Sequence, residues 1–426
     1  MNSDRAVRPP CFMESAIESS PTRSTRGVWR FLIPLACVIA FPSTGFVQKY
    51  GGMAGVFAYV AGVVACLAIV WKFLPCCAPW LRKHFRVVAT GVVCGLLAGY
   101  VGLHPLEDNK GPGKSSDRDE ALELAVSRMG EGKTPYYPDN KIAGPLSLLP
   151  GSILLAAPFV ALGDVGYQNV FWLAAFLLVA RRWFRSPALA LALLLASLAL
   201  SPAALYEFIS GGDMLANGIF VALLLFAVVK TWSEPLAPAW MRWGACCLLG
   251  IGLASRANFF LLTPLLGMLL WRQVGFRQAF LALAVVGLVA AGITVPFYLN
   301  DPAGFTPLLA RQKLSVGGGA LPWAGQAIIA ATLLTSWAGA WRLWRSAAVP
   351  LPPLFFRWCA RVTVTPMIGA VLVSSWIHGR PDFEFMRDRF GLMFVGFGLF
   401  GWGGRWLQER SGKGDKPLPA SCGKCL

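Results

Sequence analysis

The amino-acid sequence predicts an all-α, polytopic membrane protein with about 12 transmembrane helices. Of its 426 residues, 56% are hydrophobic and only 14% are charged, whereas soluble domains carry roughly 25% charged residues. The apolar residues also form long stretches, which approach the ~20 residues that a helix needs to cross a bilayer. Examples are AYVAGVVACLAIV (58–70), LALALLLASLAL (189–200), GIFVALLLFAVV (218–229) and AFLALAVVGLVAAGITV (279–295).

The first 28 residues are polar and rich in turn-forming residues, and we expect them to form a disordered cytoplasmic tail. They contain too few apolar residues for a cleaved signal peptide, so an uncleaved first span is expected to begin at Trp29. The predicted spans are 29–47, 53–74, 87–104, 166–183, 187–205, 213–230, 243–256, 258–271, 279–297, 322–342, 360–378 and 390–406.

The basic residues predict the orientation of these spans. The net charge is +17, and Lys and Arg lie in short loops between apolar stretches. This is the positive-inside pattern, and because no nucleic-acid motif accompanies it, membrane lipids rather than nucleic acid are the expected partners. With the first tail in the cytoplasm, the residues that come to the cytoplasmic side are Arg82, Lys83, Arg86, Arg181, Arg182, Arg185, Arg242, Arg272, Arg277, Arg342, Arg345, Arg357 and the tail from Arg405.

This orientation requires that residues 142–163 do not cross the membrane. If they crossed, Arg181 and every later basic loop would move to the outside. Pro145, Gly151 and Pro158 interrupt the segment, and broken helices at membrane depth are tolerated where they line a cavity. We therefore expect a re-entrant segment, or one that lies along the outer interface.

Residues 243–271 are long for one span and short for two, with Ser255, Arg256 and Asn258 in the middle. A charged residue at the bilayer centre costs at least ~2.5 kcal/mol. The sequence therefore favours a hairpin of two short helices with Arg256 at its outer end.

The longest polar stretch lies in the predicted outer loop. Its sequence, SSDRDEALELAVSRMGEGKTPYYPDNKIAGPLS (115–147), contains apolar residues at helical spacing, which predict an amphipathic helix whose apolar side rests on lipid. Acids at its start fit a capping box, either Ser116 with Asp119 or Asp117 with Glu120. The acids could serve only as caps, or they could have a function. The predicted organisation is a tail (1–28), N-terminal spans (29–104), an outer loop (105–147), a transmembrane domain (148–406) and a second cytoplasmic tail (407–426).

Several short motifs in this order resemble the C-type membrane glycosyltransferases, and among them the branch of aminoarabinose transferases and protein mannosyltransferases. The matching motifs are Asp119-Glu120-Ala121 with the helix after it, Lys141-Ile142-Ala143-Gly144-Pro145, Ser210-Gly211-Gly212-Asp213, GLASRANFFLLTPLL around Arg256, and Arg389-Phe390. The likeness covers roughly residues 115–406. Two spans precede the usual first one, and the proline that often follows the lysine directly is missing.

The resemblance implies an enzyme of the bacterial inner membrane that transfers a sugar from a polyprenyl phosphate to a lipid, glycan or protein acceptor. Asp119 would be the general base, with Glu120 or Asp117 orienting the acceptor or holding a divalent cation. Lys141 and Arg256 would stabilise the departing phosphate, with Arg389 as a further candidate. His104 is expected to be an interfacial residue rather than a base.

Asp213 has two possible roles. It could complete a Mg²⁺ or Mn²⁺ site with the acids of the outer loop, since hard cations prefer oxygen ligands. It could equally cap the helix that starts at Met214.

Two other classes of protein remain open. A transporter or flippase of the same lipid-linked substrates is expected to carry ionisable residues within its spans and to show an internal repeat, and neither is evident. A membrane scaffold without chemistry leaves the common side of Asp119, Lys141, Asp213 and Arg256 unexplained.

Overall fold

The computed structural model describes residues 25–108, 118–136, 146–309, 321–346 and 351–411, and these form helices and connecting turns without a β-strand. The predicted all-α class is therefore confirmed for the described part of the chain. The α-helices are α1 Thr25–Ala40, α2 Thr44–Asp108, α3 Arg118–Gly130, α4 Pro150–Val160, α5 Tyr167–Phe184, α6 Pro187–Ala199, α7 Pro202–Ile209, α8 Met214–Ser233, α9 Ala239–Leu253, α10 Thr263–Val274, α11 Phe276–Asn300, α12 Ala324–Arg345, α13 Leu351–His378 and α14 Val395–Ser411.

Several helices have the length and composition of membrane spans. Among the described residues four helical stretches qualify, or up to five if a bent pair of helices counts as one span. Shorter apolar helices include Pro150–Val160, Ala239–Leu253 and Phe390–Gly404. These helices are compatible with an integral membrane protein, whereas the figure of about 12 crossings stays a prediction.

The longest qualifying stretch, Val28–Glu107, contains the first three predicted spans. Within α2 the backbone leaves helical geometry at Gly52 (φ 60°) and at His84 (φ −104°). These two breaks fall in the gaps between the predicted spans 29–47, 53–74 and 87–104.

The contacts of α2 show that its two halves run in opposite directions. Tyr59 donates a hydrogen bond to the carbonyl of the residue that follows α6, 2.7 Å away. Phe85 lies 4.4 Å from the guanidinium of Arg181 in the last turn of α5. Tyr100 lies beside the first turn of α5, because its ring centre is 5.8 Å from that of Tyr167. The chain therefore reverses near His84.

The predicted span 187–205 is wrong as a single straight helix, because α6 and α7 meet at 85°. Ser201 stands between them and accepts a hydrogen bond from the backbone N–H of Ala204, which begins α7 with Pro202. Proline is favoured at the first helical position and cannot donate to a preceding turn, so Ser-Pro starts a new helix here.

The segment around Arg256 folds as a hairpin. Helix α9 ends at Leu253, a 3₁₀ helix covers Ala257–Leu262, and α10 begins at Thr263. Arg256 lies in extended conformation (φ −150°, ψ 136°) between the two arms, as the sequence predicts for a residue between two short helices.

The predicted amphipathic helix is α3, but its apolar side does not rest on lipid. Leu122 and Ala125 are fully buried in a second apolar core that also contains Tyr136, Ile153 of α4 and Phe305. The apolar side of α3 thus packs on other parts of the protein, which fixes the orientation of its first turn.

Helix α4 is too short to cross a bilayer. Its 11 residues span about 16 Å at 1.5 Å per residue, against roughly 30 Å of hydrocarbon. At its start, the backbone N–H of Gly151 donates to the carbonyl of Ala254 at 2.8 Å, at the end of α9. After α4 the chain turns back at Asp164, which accepts a hydrogen bond from Tyr100. Both ends of α4 therefore lie near the same end of the helix bundle.

The bundle has two chemically different ends. We call one the site end, because Asp119, Glu207 and Asp213 lie close together there. The other is the basic end, where arginines occupy the last turns of α5, α10 and α12. One of them, Arg272, donates to the carbonyls of Leu343 and Ser346 and so ties two of these helices together.

Candidate functional site

Two ion pairs form the centre of the site end. Arg256 donates to Oδ2 of Asp213 at 2.6 Å, and Nη1 of Arg389 lies 2.9 Å from Oε2 of Glu207. All four residues are at least 93% buried. Because a buried charge without a partner is strongly destabilising, these pairs hold the loops before α8, after α9 and before α14 in fixed positions.

Asp213 does not act as a cap, contrary to one of the two roles that the sequence allows. Its side chain makes no capping hydrogen bond to α8; Oδ2 instead accepts from Arg256 and, at 2.6 Å, from the amide of Asn217. Burial would raise the pKa of this carboxyl, but the guanidiniums of Arg256 and Arg118 outweigh burial and lower it. Asp213 is therefore ionised at neutral pH.

Glu207 takes the capping role. Its Oε1 accepts a hydrogen bond from the backbone N–H of Met214 at 2.7 Å, where the helix dipole favours negative charge. A side chain at Gly212 would meet the Glu207 carboxylate at 2.5 Å, so this close approach requires glycine. The sequence analysis missed Glu207. The available signal was a lone carboxylate within the apolar stretch PAALYEFI.

Arg118 is the most exposed cation of the site. The exposed fraction of its side chain is 20%, compared with 8% for Arg256 and 8% for Arg389. Its guanidinium lies 4.0 Å from Glu207, contacts the ring of Phe390 and donates to the carbonyl of Asp388. The sequence analysis missed this residue also.

Asp119 follows Arg118 directly and is 6% exposed. Its side chain lies against the turn that leads to Asp213: a Cβ at Gly211 would be 3.2 Å from the Cβ of Asp119. Within the described part of the chain, Oδ1 of Asp119 has no hydrogen-bond partner. Burial, the largest effect, raises the pKa of this carboxyl to about 8, although backbone hydrogen bonds act in the opposite direction.

His104 lies beside Asp119, and its expected role as an interfacial residue stays a prediction. Its Nε2 is 3.8 Å from Oδ2 of Asp119 and 3.8 Å from Oδ2 of Asp164. The imidazole stacks on Tyr100, whose hydroxyl donates to Asp164. The signal in the sequence was the spacing of Tyr100 and His104, which puts both rings on one face of a helix.

The remaining predicted residues are Glu120, Asp117 and Lys141. Glu120 is exposed on α3. Asp117 and Lys141 lie outside the described residues, and so does Ser116 of the proposed capping box. The structure thus brings together Asp119, Asp213, Arg256 and Arg389, and it adds Arg118, Glu207 and His104.

The divalent-metal site that the sequence suggests stays a prediction, because Asp117, one of its expected acids, lies outside the described residues. The described residues include no group of three or more His, Cys, Asp or Glu side chains arranged to hold a metal ion. Oδ2 of Asp213 is already engaged by Arg256 and Asn217.

No protein-family model matches the chain, and no curated protein or solved structure matches it either.

Proposed function

We propose that this chain is a membrane glycosyltransferase, which transfers a sugar from a polyprenyl-phosphate donor to a hydroxyl or amine acceptor at the extracytoplasmic face. The observation that carries the proposal is a buried carboxylate, Asp119, directly next in sequence to Arg118, whose guanidinium lies 4.0 Å from Glu207 of the ion-pair cluster. Acid–base catalysis requires the carboxylate, and a phosphate leaving group requires the cation.

In this reaction Asp119 takes the proton of the acceptor. The acceptor oxygen or nitrogen then forms a bond to the anomeric carbon of the sugar, and the bond from that carbon to the phosphate oxygen breaks. The polyprenyl phosphate leaves with the electron pair. A pKa of about 8 suits the carboxylate for this role, since a general base works best with a pKa near the working pH.

Arg118 is our preferred ligand for the leaving phosphate. Arg256 and Arg389, predicted for this role, are each paired with a carboxylate and almost completely buried. The Arg118 side chain as a whole is more exposed, and its buried Nη1 makes no hydrogen bond to the described residues. A guanidinium binds phosphate oxygens in a bidentate manner. Arg256 and Arg389 then act by holding the shape of the site, and Lys141 stays a predicted second phosphate ligand.

The proposed location is the bacterial inner membrane, with multiple crossings and the site end facing away from the cytoplasm. The basic end supports this orientation, because positive residues are retained on the cytoplasmic side. The acceptor would be a lipid, a glycan or a protein, which reaches the site from the outer face.

The test compares purified parent protein with Asp119→Asn and with Glu131→Gln, an exposed acid at the end of the same helical segment. Transfer is measured from a panel of polyprenyl-phosphate sugars to membrane-lipid extracts. We expect Asp119→Asn to lose about 100-fold or more of the rate, the size of a general-base contribution, and Glu131→Gln to keep the parent rate.

Equal rates for the parent and Asp119→Asn would refute the role of Asp119. If the parent forms no product but moves a lipid-linked sugar across a proteoliposome membrane, the alternative of a transporter or flippase is correct instead.

A further inference from the structure

We propose that α12 and α13 bind an anionic phospholipid at the basic end, with the guanidiniums of Arg342 and Arg361 as ligands of its phosphate. We call this surface the arginine patch and define it as Trp341, Arg342, Arg345, Trp358 and Arg361. The inference goes beyond the proposed function, because the patch lies at the opposite end of the bundle from the ion-pair cluster.

The chain around the patch carries almost no negative charge. Residues 235–381 include one acid, Asp301, which follows the far end of the 25-residue helix α11. The ion pairs among the described residues use cations other than Arg342, Arg345 and Arg361. Arginine stays protonated in proteins, so the anion that balances these charges has to come from outside the described part of the chain.

Helices α12 and α13 pack against each other in opposite directions. An added Cβ at Gly339 would lie 2.9 Å from the ring of Trp358, and one at Gly369 would lie 2.8 Å from the side chain of Ile328. Residue numbers therefore rise along one helix as they fall along the other. Helix α12 ends at the basic end, and α13 begins there.

The side chain of Arg361 extends toward the basic end. Its backbone lies three residues after Trp358, which is about one helical turn farther from the basic end. Its guanidinium nevertheless lies 4.5 Å from the centre of the Trp358 ring. Long basic side chains direct their charge toward the membrane interface in this way. Arg342 is near enough to act electrostatically on Arg361, and a phosphate bound by both would remove their mutual repulsion.

Tryptophan side chains accompany these cations. The guanidinium of Arg345 lies 4.3 Å from the ring centre of Trp341, and Trp344 packs against Trp271 of α10 at 5.1 Å. All three tryptophans are more than 40% exposed. Exposed tryptophans are typical of the headgroup level of a membrane. A guanidinium over an aromatic ring can still donate two hydrogen bonds to a phosphate.

The surface beside the patch favours a lipid over a soluble phosphate compound. Farther from the basic end, the same two helices expose the large apolar side chains of Leu334, Trp337, Ile368 and Leu372. Acyl chains can cover such a surface, while the phosphate of the same molecule reaches the arginines. The two regions together therefore match the two parts of one phospholipid.

Native mass spectrometry of the purified full-length protein in detergent tests the inference. The protein is titrated with phosphatidylglycerol or with phosphatidylcholine, which both carry a phosphate but differ in net charge. We expect the first phosphatidylglycerol to bind the parent about tenfold or more tightly than the first phosphatidylcholine. The double variant Arg342→Gln/Arg361→Gln should lose this preference.

The matched control is Arg82→Gln/Arg86→Gln. It removes two exposed arginines from the reversal of α2, which also lies at the basic end, and it changes the net charge equally. This control should keep the parent's affinity for phosphatidylglycerol within about twofold. Thermal melting shows whether each variant folds. If the first double variant does not fold, Arg342→Gln alone replaces it and should weaken binding about fivefold.

Equal binding of the two lipids by the parent would overturn the inference. An equal loss of phosphatidylglycerol in the patch variant and in the control would also overturn it, because it would show general attraction to a basic surface. Displacement of the lipid by equimolar inorganic phosphate would reject a lipid site in favour of a soluble anion. None of these results depends on sugar transfer, so the proposed function is tested separately.

Discussion

Asp119 and Asp213 lie on either side of the same glycine turn, and their environments push their pKa values in opposite directions. Burial raises the pKa of Asp119 to about 8, whereas the guanidiniums of Arg256 and Arg118 lower that of Asp213. Two carboxyls with separated pKa values can divide the tasks of proton transfer and charge pairing between them. This division favours Asp119 as the base and Asp213 as a structural anion.

The raised pKa of Asp119 predicts how the transfer rate depends on pH. A base must be ionised, so below pH 8 most of Asp119 is protonated and inactive, and the rate should rise as pH passes through about 8. Initial rates from about pH 6 to pH 10 at saturating donor check this expectation. A rate that falls through the same window would contradict Asp119 as the base.

The buried ion pair of Arg256 predicts a large loss of stability on truncation. Arg256→Ala leaves the Asp213 carboxylate buried without its main partner, which lowers the free energy of unfolding by about 3–5 kcal/mol. Arg387→Ala removes an exposed arginine that pairs with Glu384, and it should cost less than about 1 kcal/mol. Chemical unfolding in detergent, followed by tryptophan fluorescence, measures both. Equal losses would show that burial of the Arg256 pair has no energetic consequence.

Among the helices, α4 determines how closely α3 approaches the end of α9. Gly151 contacts the end of α9 so closely that an added Cβ would lie 2.2 Å from the carbonyl oxygen of Ile251. The backbone hydrogen bond from Gly151 to Ala254 depends on this approach. Helix α3 packs on α4, so the position of Asp119 depends on it in turn.

Substitution of this glycine therefore tests the link between packing and the site. Gly151→Ala should push α4 away from α9, lower the free energy of unfolding by about 1–3 kcal/mol and reduce transfer. Gly244→Ala is the control, because this glycine lies in α9 with nothing within 4 Å of an added Cβ. It should be neutral or slightly stabilising, since alanine favours helices. Thermal melting and the transfer assay on both variants check the prediction, and a similar outcome for the two would contradict it.

Local patterns in the sequence predicted several elements correctly. The 3.6-residue spacing of apolar residues located α3, and the central polar residues of 243–271 located the hairpin around Arg256. The bend at Ser201 was missed because apolar composition continues through it, although Ser-Pro is a helix-starting pair. Hydrophobicity reports which residues are buried and carries little information about helix direction.

The pairing of charges could not be predicted in the same way. Glu207 and Arg389 are 182 positions apart, as counted from their residue numbers, and only tertiary packing brings them together. The motifs around Asp119, Asp213, Arg256 and Arg389 indicated that each residue was unusual. They did not indicate that Arg256 and Arg389 would be paired with carboxylates. Nor did they indicate that the side chain of Arg118 would be more exposed than either.

At the scale of the whole molecule, the separation of the site end from the basic end is the feature that is expected to determine its orientation in a membrane. All the residues of the ion-pair cluster lie at one end, while Arg181, Arg272 and Arg345 lie in last turns at the other. Such an asymmetric molecule is expected to insert in one orientation.

Cysteine labelling tests that orientation. In a variant without native cysteines, Lys133→Cys is placed at the site end and Arg185→Cys at the basic end, both at exposed positions. A membrane-impermeant maleimide added to intact cells should label the first and reach the second only after the membrane is permeabilised. Labelling in the reverse order would place the proposed catalytic acids in the cytoplasm.

Arg389 adopts a left-handed backbone conformation (φ 59°), which glycine tolerates and other residues reach only at some cost. An arginine stands there because its guanidinium is needed at Glu207, Ser210 and the ring of Tyr206. A glycine would relax the backbone by about 1 kcal/mol or more and leave Glu207 without its principal cation. The backbone conformation at this turn is thus less favourable with arginine than with glycine. The ion pair with Glu207 offsets that conformational cost.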